Sequence, residues 1–279
     1  MEGAVRHTNI TDAIMKRREF LTSSLATAGL ATVFSAQAAD APASADREFY
    51  ELRLYHLKNA AQRKRFEDYV RDAAVPAMNR AGCSPVGVFF PVPKADAATE
   101  ETTAYVLIPF KSLDQFGALG GKLSADDEYH KAGAEFINVP ATDPSFVRIE
   151  SSFLVAFDGM PKIVVPGKTP RVFELRTYES HSKKANKKKI EMFNIGEIAI
   201  FKRNGLNPVF FGETLIGARL PNLTYMLVYD DMAAHDRSWG KFVADPDWKK
   251  LSKTPGYTDP EIVSHITNVF LQPAPYSQI

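Results

Sequence analysis

Two short rows of residues carry most of the chemistry legible in this 279-residue chain. Glu51, Arg53 and Tyr55 alternate with Tyr50, Leu52 and Leu54, while Glu174, Arg176 and Tyr178 alternate with Phe173, Leu175 and Thr177. Period-two alternation is the mark of a strand, so each row presents a carboxylate, a guanidinium and a phenol on one face. Neighbours on such a face stand ~6.5 to 7 Å apart, close enough for glutamate and arginine to pair directly or through one water. In one reading the rows orient a polar or carboxylate ligand, with arginine as fork donor and tyrosine as proton donor or acceptor. In the other they are a structural salt-bridge lattice that keeps buried charges paired. If the Tyr50/Leu52/Leu54 face packs on helices, the charged rows point into the interior of a barrel.

Further candidates lie on the other strands. Tyr105 and Tyr225 fall at matching places, in Tyr105-Val-Leu and Tyr225-Met-Leu. Arg148 and Glu150 in one strand correspond to His265 and Thr267 in another, and His265 is the best single general-base candidate, because imidazole can accept a proton at physiological pH. The ligand pocket expected from the sequence is therefore Glu51, Arg53, Tyr55, Tyr105, Glu174, Arg176, Tyr178, Tyr225 and His265. A histidine exposed at a strand end is the competing description of His265.

Other chemistries are disfavoured. His7, His56, His130, His181 and His235 have no metal-site spacing among them, and the single cysteine, Cys83, supports neither a disulfide nor a Cys-rich zinc site. No metal and no cofactor are expected from the residues themselves. His130 and His235 fall on predicted helices, where solvent exposure is the default. The run Lys183, Lys184, Lys187, Lys188 and Lys189 reads as a solvated helix face. With 34 Lys+Arg against 33 Asp+Glu there is no field to hold a polyanion, so nucleic acid is a poor partner. Dinucleotide, phosphate-loop and serine-hydrolase motifs are missing from the sequence.

The elements that must position these residues occur twice. Tyr50-Glu-Leu-Arg-Leu-Tyr55 recurs as Phe173-Glu-Leu-Arg-Thr-Tyr178, and at the same offset Arg80 meets Arg203, Gly82 meets Gly205, and Pro85-Val86 meets Pro208-Val209. Ala125-Asp126 with Tyr129 and Lys131 likewise matches Ala244-Asp245 with Trp248 and Lys250. Each copy reads strand, helix, strand, strand, helix, strand, with helix starts at Asn59, Ser112 and Ser182 and helix stops at Gly82 and Gly205. A βαββαβ unit is ferredoxin-like, an antiparallel sheet with both helices on one face. The fold class is thus α+β: two tandem ferredoxin-like repeats, 47–158 and 171–279, packed sheet to sheet as a pseudo-two-fold α+β barrel. Prolines and glycines between Gly159 and Pro170 mark a linker.

The first 38 residues read as a cleavable export signal. Lys16-Arg17-Arg18-Glu-Phe20-Leu21 precedes a weakly apolar stretch ending in Ala36-Gln37-Ala38, and consecutive arginines before Phe-Leu resemble the twin-arginine signal. Cleavage after Ala38 leaves 39–46 as an expected disordered N-terminus and sends the protein to the periplasm or outside the cell, through the twin-arginine export machinery. Met15 directly precedes the basic cluster, so Met1 and Met15 both stand as possible starts. Beyond Ala38 no apolar run reaches the ~20 residues that span a bilayer.

The Glu-Leu-Arg-x-Tyr strand in both copies, Gly82-Cys-Ser-Pro85-Val and Gly205-Leu-Asn-Pro208-Val, and Trp239-Gly-Lys-Phe242 through Asp245-Pro246-Asp247-Trp248-Lys249 resemble NIPSNAP-type domains. The resemblance covers about Phe49 to Phe157 and Val172 to Pro273. The first copy departs from it, with Phe116 and Tyr129 near the places of the two tryptophans. The resemblance implies a dimeric α+β barrel fold related to cofactor-independent monooxygenases, small-ligand enzymes and some haem proteins. The functions expected are accordingly a small-ligand-binding protein, a cofactor-independent monooxygenase or isomerase, and a haem protein, in that order, with oligomeric state open.

Overall fold

In the computed structural model, residues 47–93, 102–169 and 171–279 are described; the expected export signal, 1–38, and the segment 39–46 lie outside the described residues. The first repeat runs β1 (Phe49–Leu57), α1 (Ala60–Tyr69), a π-helical turn (Val70–Ala74), α2 (Val75–Arg80), β2 (Gly87–Pro91), β3 (Thr102–Phe110), α3 (Leu113–Ser124), α4 (Asp127–Ala132), α5 (Ala134–Ile137) and β4 (Arg148–Ala156). The second runs β5 (Val172–Glu179), α6 (Lys183–Met192), a π-helical turn (Phe193–Glu197), α7 (Ile198–Arg203), β6 (Asn207–Ile216), β7 (Asn222–Tyr229), α8 (Met232–Ala244), α9 (Pro246–Leu251), α10 (Asp259–Ile262) and β8 (His265–Pro273).

Local chemistry sets the helix ends. The side chains of Asn59, Ser112, Ser182 and Asp231 each accept a backbone N–H three residues on. Gln62 and Gln115 also reach back, accepting the N–H of Lys58 and of Lys111. Gly82 and Gly205 take φ of +88° and +81°, the left-handed turn that ends α2 and α7. The repeated Arg80/Asp126 and Arg203/Asp245 pairs are the same bridge, tying the end of α2 to α4 and the end of α7 to α9.

The eight strands close into one barrel in the order β1-β3-β2-β8-β5-β7-β6-β4, antiparallel throughout. Each repeat supplies a four-stranded sheet, and the sheets are joined along both edges, β2 to β8 and β4 to β6. Closure removes the exposed edges that two separate sheets would leave. Among the described residues no helix is long and apolar enough to cross a membrane.

Which strand face turns inward differs from the expectation. Tyr50, Leu52, Leu54, Phe173 and Leu175 point into the barrel, packed with Phe89, Leu107, Phe210, Met226 and Leu271. The Glu51/Arg53/Tyr55 and Glu174/Arg176/Tyr178 rows face the helices instead: Tyr55 lies against Phe66 of α1 at 4.8 Å between ring centroids, and Tyr178 packs in the cluster beneath α6 to α8. The reason is steric and electrostatic. A small eight-stranded barrel is filled by side chains from all its strands and takes the face without charged groups. The layer between sheet and helices can supply hydrogen-bonding partners to charges.

Candidate functional site

Glu174 is fully buried, at 0% exposure, between the second sheet and α8, and polar groups from four elements converge on it. From its own strand, Arg176 Nη1 donates to Oε1 at 2.6 Å. Tyr229, ending β7, donates its hydroxyl to Oε2 at 3.1 Å, and Trp239 Nε1, on α8, donates to the same oxygen at 3.1 Å. Asn268 Nδ2 of β8 lies 3.4 Å from Oε1, and His235 Nε2 of α8 lies 3.5 Å from Oε2. A charge removed from water needs such partners. Burial first, then the Glu174 carboxylate, pushes the Tyr229 phenol above its ordinary range, so it remains a donor.

The network extends along the strand. Arg176 lies 4.8 Å from the centre of the Trp239 ring and donates from Nη2 to the Tyr178 hydroxyl at 3.3 Å, while Tyr225 donates to that hydroxyl at 2.9 Å. Burial, above all, raises the Tyr225 phenol well above its ordinary range. Arg176 Nε is buried with no hydrogen-bond partner among the described residues. Beyond Tyr178 sits a buried ion pair, Lys189 Nζ to Glu197 Oε2 at 3.1 Å, with Glu197 on the second π-helical turn. His235 lies between this interior and solvent, its side chain 16% exposed and its Nδ1 2.8 Å from Asp236.

The first repeat builds the same frame with less chemistry. Glu51 binds Arg53 through two bonds, 2.6 and 2.8 Å, and accepts from Ser151 Oγ at 2.8 Å. Strand pairing makes Phe110 the counterpart of Tyr229, Phe153 that of Phe270 and Ser151 that of Asn268, while the helix caps Ser112 and Asp231 align Phe116 with His235. Phe116 packs on Phe110 and Phe153 at 5.4 and 4.2 Å; His235 packs on Tyr229 and Phe270 at 5.0 and 5.1 Å. One aromatic triangle is therefore drawn twice, as Phe/Phe/Phe in the first repeat and as Tyr/His/Phe in the second.

The expected pocket does not form as one site. Glu51, Arg53 and Tyr55 lie under the first repeat's helices, whereas Glu174, Arg176, Tyr178 and Tyr225 come together under the second's. Tyr105 points into the barrel and Tyr225 away from it, so they do not share an orientation. Their apparent equivalence is a slip of one residue: Tyr225 pairs with Arg176, while Arg53 pairs with Val106, and a one-residue shift reverses the face of a strand residue. His265 starts β8, exposed, on the opposite face from Asn268 and Phe270, and cannot reach Glu174. The residues that sequence reasoning missed are Tyr229, His235, Trp239, Asn268, Lys189 and Glu197. A comparison of the repeats anchored on the α3 and α8 caps would have set His235 against Phe116.

Among the described residues no group of three His, Cys, Asp or Glu side chains is placed to hold a metal.

The NIPSNAP family model matches residues 173–278, within the second repeat. A candidate monooxygenase from Lactobacillus acidophilus is 11% identical with a TM-score of 0.54, over 82% of this chain and 94% of that one. Another, from Fusobacterium nucleatum, is 11% identical with a TM-score of 0.51, over 82% and 93%. An uncharacterized NIPSNAP-like domain protein from Burkholderia xenovorans is 20% identical with a TM-score of 0.35, over 39% of this chain and 89% of its own. The sequence matches no curated protein. At these identities the likeness is one of fold.

Proposed function

We propose that the protein, whose second repeat matches the NIPSNAP family model and forms half of a closed α+β barrel, binds a small organic molecule between its second sheet and α8, in a cleft at the Glu174 network. The observation that carries this reading is the aromatic triangle. Where the first repeat fills the space with Phe110, Phe116 and Phe153, the second places a phenol, an imidazole and a phenyl ring around a buried carboxylate. A duplicated frame that is sealed by carbon in one copy and polar in the other supports a single asymmetric site. Arg176 Nε is a buried donor available to an acceptor on the ligand.

Catalysis by a cofactor-independent monooxygenase or isomerase is the second reading, favoured by His235. His235 can take a proton from a bound substrate at Nδ1 once the exposed Asp236 side chain, 2.8 Å away, swings aside, while Glu174, 3.5 Å from Nε2, stabilises the resulting imidazolium. Returning the proton elsewhere on the substrate is isomerisation; adding the carbanion to dioxygen and taking back the proton gives a hydroperoxide, which on a carbon with a second hydrogen loses water to leave a carbonyl, the substrate supplying the electrons. The fold shared with candidate monooxygenases is compatible with this chemistry.

Mass spectrometry and absorption of the freshly purified protein test the binding reading, with Trp248→Phe leaving Trp239 as the one indole reporter. A co-purified organic compound should quench Trp239 on re-addition. Retention of the same affinity in Tyr229→Phe/His235→Phe, which copies the first repeat, would sink the proposal. A Soret band would redirect attention to haem. Loss of turnover with binding intact in His235→Gln would favour the enzyme over a binding protein.

We further read the protein as exported to the periplasm or beyond, on the support of Arg17-Arg18, Phe20-Leu21 and Ala36-Gln37-Ala38. Replacing both arginines by lysine should leave a precursor in the cytoplasm. Unchanged export would point to the general secretory route.

A further inference from the structure

On the other face of the same strands, the barrel has a cavity of about 120 Å³ at one mouth, and equivalent residues of both repeats line it: Leu52 with Leu175, Leu54 with Thr177, Tyr105 with Thr224, Glu150 with Thr267. It lies on the pseudo-two-fold relation of the fold. Its floor is aliphatic and its rim is polar.

Three features of the rim point to a ligand. Arg219 stands over the mouth on the β6–β7 connection with φ of +58°, a left-handed conformation that a residue with a side chain rarely adopts and that collects at functional positions. Buried Asn222 holds it there, Nδ2 donating to the carbonyls of Ala218 and Arg219 at 3.0 Å each. Second, the nearest carboxylate to that guanidinium among the described residues, Glu179, is 3.6 Å away, longer than a hydrogen bond, while Glu150 across the mouth has its own cations in Arg148 at 2.8 Å and His56 at 3.1 Å. Third, Thr267 Oγ1 lines the cavity, buried, with no partner among the described residues.

We propose that this mouth is a second ligand site, separate from the cleft at Glu174, and that it takes a short-chain monocarboxylate. The hydrocarbon tail lies on Leu54, Leu175 and Val269, and the carboxylate meets Arg219 with the hydroxyls of Tyr105 and Thr267 beside it. Size and charge both select this class. The cavity, about 120 Å³, is of the size that admits a small organic guest, an apolar cavity of about 150 Å³ being enough for benzene. Arginine presents a planar fork suited to a carboxylate. A dianion such as phosphate would meet Glu150 and Glu179 with a second negative charge and has no use for the apolar floor.

Ligand-observed NMR on the full chain, with sodium butyrate as the probe, decides the matter. Saturable binding is expected, weakened about tenfold or more in Arg219→Gln, the scale of one charge-assisted contact. Leu54→Trp should abolish it by filling the cavity, and 1-butanol, with the same tail and no charge, should bind far more weakly. Circular dichroism and thermal unfolding confirm that each variant is folded. Glu174→Gln should leave butyrate affinity unchanged, so failure here is distinct from failure of the cleft. No saturable butyrate binding, equal affinity in Arg219→Gln, or equal affinity for 1-butanol overturns the proposal.

Discussion

The hydroxyl of Tyr229 donates to Oε2 of Glu174 across 3.1 Å, whereas Phe110, which holds the same place in the first repeat, has nothing to offer Glu51. At this one position a single oxygen atom separates the sealed copy from the polar one. Because the acceptor is a buried carboxylate, Tyr229→Phe should cost ~1.5 to 3 kcal/mol, the range for hydrogen bonds to charged groups. Urea unfolding of the variant against the parent measures it. A cost near zero would mean that the remaining donors already satisfy Glu174.

Truncating the arginines should separate the two networks. Arg53→Ala leaves Glu51 with Ser151 alone, while Arg176→Ala leaves Glu174 with Tyr229, Trp239, Asn268 and His235. Stranding a buried partner typically costs ~3 to 5 kcal/mol, so Arg53→Ala should fall in that range and Arg176→Ala clearly below it. Equal losses, read from denaturant midpoints, would contradict the view that the second network is shared among many donors.

These networks show where sequence reasoning reached and where it stopped. Caps at Asn59, Ser112 and Ser182 and the glycine stops are local signals, and with the repeat they suffice for the two βαββαβ units and the barrel. The inward face of β1 was not legible, because Tyr50, Leu52, Glu51 and Tyr55 are all buried and alternation says only that two faces differ. Which face meets helices is settled by what the helices carry. Tyr105 and Tyr225 misled through similar short strings, since register is fixed by pairing with Arg53 and Arg176 rather than by local likeness. His235 looked like a helix surface residue; its role depends on Tyr229, Phe270 and Glu174, three groups remote in sequence.

The buried pair Lys189–Glu197 has no counterpart in the first repeat, where the matching helix and π-helical turn carry Phe66 and Ala74. Lys189→Met strands Glu197 and should cost ~3 to 5 kcal/mol at neutral pH, whereas Lys189→Phe/Glu197→Ala, with the first repeat's residue types, should lose far less. Burial pushes the Glu197 carboxyl up even with Lys189 beside it. A carboxyl raised in the folded state favours folding when protonated and loses that contribution as pH rises through the raised value. The Lys189→Met defect should therefore shrink as pH is lowered from 7 toward 5. A pH-independent defect in thermal unfolding would show that packing, not charge, is at stake.

Asp245 has the opposite sign. Its carboxylate accepts from Arg203 Nε at 2.9 Å and Asn204 Nδ2 at 2.9 Å, and it caps α9 by accepting the N–H groups of Asp247 and Trp248. Arg203 first, then Asn204, holds the carboxyl well below the usual carboxylate range. A group depressed in this way stabilises the fold at every pH above its ordinary range and gives that contribution up as pH falls toward the depressed value. Asparagine keeps the cap but not the charge, so Asp245→Asn isolates the ionic part. Thermal unfolding of parent and variant should differ most between pH 6 and 7 and converge as pH approaches ~2, where the parent's carboxyl also begins to protonate. Salt should narrow the gap at neutral pH, because Arg203 is 44% exposed and the pair is open to screening. A gap that stays constant from pH 7 to 2 would assign the role of Asp245 to capping geometry alone.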